Sequence, residues 1–226
     1  VLGLYDFLDR MVNRYPDLLI EGCSGGGGRF DAGMLYYTPQ IWCSDDTDGI
    51  ERLEIQYGTS FFYPISAVGS HVSAIPNHQT GRRTPLATRG VVAMAGSFGY
   101  EMDLNLLTED EKEAVKAQVE DYKKYYDLIH NGDYYRLVSP QGDSDFTAWQ
   151  FVSGDKTRTL LNLVITHVRA NAPDLWFKLR GLDPEKRYRL EENGRIYSGS
   201  ALMNAGISIP MIMGDYPAVQ MVLTEV

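Results

Sequence analysis

The chain has 226 residues, with 21 Lys and Arg against 30 Asp and Glu, for a formal net charge of −9. At 44% hydrophobic and 23% charged residues it is a globular protein long enough to bury a sizeable core, and its acidic balance argues against nucleic acid, whose phosphates need a basic surface. No apolar run approaches the roughly 18–20 residues of a membrane span, residues 1–10 lack the pattern of a signal peptide, and the two cysteines, Cys23 and Cys43, form neither a disulfide framework nor a zinc-ligand spacing. A reducing, cytoplasmic setting is the expectation.

Leu4, Phe7, Leu8, Met11, Val12 and Tyr15 share one helical face, which Pro16 ends. Residues 18–20 form a short apolar run before glycine-rich sequence and read as a buried strand. A short helix is predicted over 30–37 and a strand over 40–44. Ile50, Leu53, Tyr57 and Phe61 define the next helix, with Thr47 or Asp45 as its N-cap. Thr84-Pro85 reads as an N-cap and first helical position. Thr108 and Glu111 read as a capping box for the longest helix, whose apolar stripe is Val115, Val119, Tyr122, Tyr126 and Ile129. Alternating strands and helices indicate βα units and a parallel sheet, but too few for a complete eight-fold barrel. After residue 132 the period becomes two. Runs over 146–152 and 159–166 flank a turn at 153–156, runs over 188–190 and 196–198 flank Asn193-Gly194, and residues 218–224 alternate again, which reads as an antiparallel sandwich.

Three loops could carry chemistry. Residues 21–29 contain four consecutive glycines, Gly25 to Gly28, which allow close backbone approach to a ligand; Arg29 and Asp31 suggest an ion pair holding the loop. Gly22 to Gly26 also fits G-x-S-x-G, with Ser24 as a hydrolase nucleophile, but the following glycines oppose the helix that such an elbow needs. The second loop, Trp42-Cys43-Ser44-Asp45-Asp46-Thr47-Asp48, places three carboxylates at a strand end. Asp46, Thr47 and Asp48 fit helix capping better than catalysis, whereas Asp45, nearest the strand, should face a site. In the third loop, His71 and His78 read as supporting groups around a polar pocket with Arg82. The tyrosines Tyr125, Tyr126, Tyr134 and Tyr135 read as packing between domains.

The stretches EGCSGGGGRFDAGMLYYTPQIWCSDDTDGIERLEIQYGTS, GSHVSAIPNHQTGRRTP and GSFGYEMDLNLL resemble glycoside hydrolase family 36, the bacterial α-galactosidases, over residues 1 to about 130. The remainder is similar to that family's terminal β-sandwich. The resemblance implies an α/β plus all-β fold: residues 1–131 as the C-terminal half of a catalytic (β/α)8 TIM barrel and residues 132–226 as an antiparallel β-sandwich domain. It implies a retaining exo-α-galactosidase acting on terminal α-galactosyl residues of melibiose, raffinose and stachyose type, with no metal or organic cofactor and with a homo-oligomeric full-length enzyme. Trp42-Cys43-Ser44-Asp45 matches the family's W-x-S-D motif, so Asp45 takes the acid/base role, and Cys23 and Gly26 match positions that contact galactose. The nucleophile motif Lys-x-Asp-x-Asn occurs nowhere in the chain, so the expectation is the C-terminal part of a longer enzyme, inactive in isolation. The alternatives are a raffinose or stachyose synthase-type galactosyltransferase, an α-N-acetylgalactosaminidase, and a non-catalytic carbohydrate-binding module.

Overall fold

The computed structural model describes residues 1–226. Its first part runs α1 (Leu2–Arg14), β1 (Glu21–Gly22), a single turn α2 (Ser24–Gly27), α3 (Ala32–Tyr37), β2 (Gln40–Ile41), α4 (Glu51–Thr59), β3 (Gly69–Ser73), α5 (Leu86–Ala93), β4 (Ser97–Glu101) and α6 (Glu109–Asn131). β1 pairs with β2 and β3 with β4, both in parallel, and a parallel bridge from Ile41 to Val68 links the two pairs. The strands therefore lie in chain order, with helices between them.

The sequence places several features slightly wrongly. The first strand begins at Glu21, not within 18–20, and Leu19 is 88% exposed. Gly22 lies close against the Thr38 side chain, where a Cβ would be 3.0 Å from Thr38 Oγ1. Of the residues that fit helix capping, Asp48 caps α4, and neither Thr47 nor Asp45 does. Asp48 Oδ1 accepts the N–H groups of Ile50 (2.8 Å) and Glu51 (3.3 Å), while Thr47 is held by Ser73, Asn77 and Gln79. At α5 the N-cap position is Pro85, and Thr84 makes no capping hydrogen bond. The Thr108–Glu111 capping box forms as the sequence predicts. The stripe of α6 buries Tyr125 in place of Tyr126, which stacks on His130 at the surface (4.2 Å). From Tyr122 the 3.6-residue period points between positions 125 and 126, so packing decides which one turns inward.

The second part contains β5 (Asp133–Val138), β6 (Phe146–Val152), β7 (Arg158–Ile165), β8 (Leu175–Phe177), β9 (Arg187–Leu190), β10 (Ile196–Ser198), α7 (Gly199–Asn204), β11 (Ile207–Ile209) and β12 (Ala218–Glu225). Six strands form an antiparallel sheet in the order β10-β9-β12-β7-β6-β5, and β8 pairs with β11 in a separate ribbon. The Asn193-Gly194 hairpin is present, with Gly194 at φ +72° and Tyr188 opposite Tyr197.

The central strands β6 and β7 are buried on both faces. Leu161, Leu163 and Ile165 of β7 pack toward β8 and β11, through Leu175, Phe177, Ile207 and Ile209. Leu160 and Val164, which point the other way, pack with Tyr125, Leu128 and Ile129 of α6 and with Val68 and Val92. A single apolar cluster thus joins the parallel and antiparallel parts. At the junction a Cβ on Gly132 would lie 2.3 Å from Leu128 O, so the turn from helix to strand requires glycine.

Candidate active site

The loops after β1 and β2 come together. Ser24, Gly25, Gly26 and Gly27 all have positive φ, from +57° to +84°. Such a left-handed run is open to glycine and strained for a side chain. The loop also lies tight against its neighbour. A Cβ on Gly26 would be 3.0 Å from Asp45 N and 3.4 Å from its Cγ, and one on Gly27 would be 2.9 Å from Cys43 O. Two of the residues singled out from sequence, Gly26 and Asp45, are therefore in direct apposition. Cys23, the third, is exposed at the start of the loop, where its carbonyl accepts Gly27 N–H (2.7 Å).

The expected Arg29–Asp31 ion pair does not form. Arg29 Nη1 donates to Ser24 Oγ (3.0 Å) and so clamps the glycine loop alone. Asp31 caps α3 by accepting Met34 N–H (2.9 Å) and also accepts the Tyr5 hydroxyl (2.7 Å). These bonds, the Tyr5 hydroxyl foremost, hold its carboxyl below the usual range. The Arg29 bond also answers the nucleophile reading of Ser24, because no histidine bonds to that hydroxyl.

Asp45 is exposed, and the backbone on either side of it is fixed. Ser44 Oγ accepts Asp46 N–H (3.1 Å), and Asp46 Oδ1 accepts Asp48 N–H (2.9 Å). The Asp48 side chain is fully buried beside Arg82, whose Nη1 lies 2.5 Å from its Oδ1. Burial pushes the Asp48 carboxyl up, but hydrogen bonds from Thr80, Ile50, Glu51 and Arg82 outweigh it and leave the acid below its ordinary value. Asp48 is thus a fixed anion, and the proton-transferring candidate of the loop is Asp45.

The sequence does not single out Arg52. It is 2% exposed, lies 4.7 Å over the Trp42 ring, and donates to Gly69 O (2.6 Å) and Ser44 O (3.3 Å). It therefore ties β3 to the residue before Asp45. Its only sequence signal is an arginine beside Leu53 on an amphipathic helix. His71 stacks on Trp42 (4.5 Å), and burial lowers its pKa despite Glu101 nearby. His78 is apart from His71, on a polar cavity of about 190 Å³ lined by Thr47, Ser73, Ala74, Pro76 and Glu101. The two histidines do not share one pocket wall as the sequence suggests. No three His, Cys, Asp or Glu side chains are grouped to hold a metal ion, and no helix is long and apolar enough to cross a membrane.

An exposed carboxylate at a parallel strand end thus stands against a glycine loop shaped for close approach. A melibiase family model matches residues 1–132, and a model of the glycosyl hydrolase family 36 C-terminal domain matches residues 146–223. The chain belongs to the melibiases of glycosyl hydrolase family 36. It is 56% identical to the bifunctional alpha-galactosidase/sucrose kinase of Mediterraneibacter gnavus over 225 residues, all of this chain and 24% of that protein. It is 51% identical to alpha-galactosidase AgaA of Geobacillus stearothermophilus, over 96% of this chain and 29% of that protein. The solved galactosidase domain of the former superposes with a TM-score of 0.97, covering all of this chain and 31% of that one. The AgaA complex with 1-deoxygalactonojirimycin gives 0.96 at 49% identity, with the same coverage. The chain thus spans about a quarter to a third of the relatives it matches.

Proposed function

We propose that this chain is the C-terminal portion of a retaining exo-α-galactosidase, with residues 1–131 forming the second half of a (β/α)8 barrel and residues 132–226 a β-sandwich. The four parallel strands in chain order and the two-sided antiparallel sheet support that architecture. Solved complexes of AgaA variants with raffinose and stachyose support α-galactosides as the substrate class. Cleavage requires two carboxylates about 5–5.5 Å apart. Asp45 is one, protonating the glycosidic oxygen and then deprotonating the water that releases galactose. The other, the nucleophile, lies in the part of the enzyme that these residues do not span. Gly26 lets the sugar approach the carboxylate, and Cys23 at the loop's exposed edge contacts it.

The observation that carries this reading is the apposition of Gly26 and Asp45. The test is Asp45→Ala in the complete enzyme. Turnover of raffinose, whose leaving group needs a proton, should fall about 10²–10⁴-fold. The first step with an activated aryl galactoside should suffer much less. Azide needs no base, so it should restore turnover by attacking the covalent intermediate from the face the leaving group vacated, giving α-galactosyl azide. A β-galactosyl azide would make Asp45 the nucleophile and overturn the assignment.

A further inference from the structure

Contacts from the loop that carries Asp45 reach into the antiparallel part of the molecule. The Asp45 side chain makes no hydrogen bond, so its aim depends on the backbone of residues 44–48. That backbone ends at Asp48, whose Oδ1 caps α4 and meets Arg82, while its Oδ2 accepts the Thr80 hydroxyl. Arg82 lies in the β3–α5 connection, and its second nitrogen, Nη2, reaches Glu51 (3.3 Å). The Arg82 guanidinium sits over the ring of Tyr216, 5.6 Å from its centroid, within cation–π range. Tyr216 belongs to the β11–β12 connection. It has φ +52°, uncommon for a residue with a side chain, and its carbonyl accepts the Thr88 hydroxyl of α5 (2.5 Å). Tyr216 is thus pinned to the parallel region at its backbone and offers its ring to the arginine that holds Asp48.

We propose that Tyr216 is a positioning residue for the acid/base carboxylate, acting through Arg82 and Asp48, so that the antiparallel domain contributes to the active site without touching substrate. The proposal rests on the assignment of Asp45 as acid/base. The Tyr216 hydroxyl takes no part, and the ring face is what Arg82 meets. Without that face, Arg82 is free to leave Asp48 for solvent, and the turns over residues 44–48 loosen.

The test uses the complete enzyme, with raffinose and a nitrophenyl α-galactoside as substrates. Misplacement of a catalytic group by about an ångström can cost on the order of 10²-fold. Loss of one cation–π contact limits the effect, so Tyr216→Ala should lower kcat on raffinose about two- to ten-fold with KM little changed. The pre-steady-state burst of nitrophenol, which needs no acid, should be nearly intact. Tyr216→Phe should restore the raffinose rate. Arg82→Lys, which keeps the charge but loses the planar fork, should show the same substrate bias and serves if Tyr216→Ala fails to fold. In an Asp45→Ala background, adding Tyr216→Ala should change the raffinose rate no further. A slowing of the nitrophenol burst equal to the loss on raffinose, a further loss in the Asp45→Ala background, or no loss in either variant would overturn the proposal. If Asp45→Ala itself shows no leaving-group bias, the acid/base assignment fails and takes this inference with it. If that bias is present and the Tyr216 effect absent, only the inference fails.

Discussion

The parallel and antiparallel regions hold their backbones in different ways. In the first, β1 and β2 are two residues long and β3 and β4 five; in the second, β6, β7 and β12 run to seven or eight. Eleven of the fifteen buried polar or charged residues lie before residue 132. Short strands leave carbonyls that no ladder satisfies, and buried carbonyls need partners. Side chains supply them. Arg52 serves Gly69 and Ser44, Gln56 serves Val92, and Ser73 serves Thr47. The long antiparallel ladders satisfy themselves, so their side chains are free to be apolar. The region with the candidate site is thus held by specific polar contacts, and the other by area and shape.

The sharpest way to break this contrast is to truncate β7 on each face. Leu163 and Val164 are both 0% exposed, but they pack into different clusters. Leu163→Ala should cost about 3 kcal/mol, and Val164→Ala somewhat less because it removes fewer atoms, both read by chemical denaturation. A neutral Val164→Ala would mean that α6 and the parallel region do not depend on that face. In the polar region, Arg52→Met should cost about 2 kcal/mol despite its similar length, because the buried Gly69 carbonyl and the part-buried Ser44 carbonyl lose a charged donor. An unchanged midpoint would show that water replaces the guanidinium without loss and that the polar network is dispensable.

The smallest effect sharpens the comparison through pH. The folded pKa of Asp48 lies below its unfolded value of about 3.9. Its contribution is therefore fully present above that value and is lost as pH falls through the folded pKa. Acid should weaken the parallel region by this route below about pH 4, and Asp48→Asn should flatten that part of the stability–pH curve while lowering stability at neutral pH. A variant curve parallel to the parent's would exclude Asp48 as the source.

Local chemistry made much of this legible in the sequence. The Thr108–Glu111 box, the Asn193-Gly194 turn, and the strands over 146–152 and 218–224 each depend on neighbours within a few residues, and all four appear as read. β5, β8, β11 and α7 carry three- to six-residue signals too short to separate from loops. The errors at α4, α5 and α6 are shifts of one residue or one cap, where several candidates stood side by side. Asp48 became the α4 cap because its carboxylate also answers Thr80 and Arg82, more than thirty residues away. Asp31 left Arg29 for a helix terminus and a tyrosine of α1.

The parallel-then-antiparallel order and the position of Asp45 at a strand end follow from residues close together along the chain, and the resemblance of those stretches to family motifs adds Cys23 and Gly26 as candidates. Spacing, glycine content and alternation are local properties, and a reader of the sequence has them in full. Folding settles which of these residues meet. Gly26 lies against Asp45 because parallel pairing of β1 with β2 brings their C-terminal ends side by side. Arg52 reaches β3, and Tyr216 reaches Arg82, through contacts spanning 17 and more than a hundred residues. Such partners are chosen by the packing of whole elements, and nothing in the residues next to Arg52 or Tyr216 announces them.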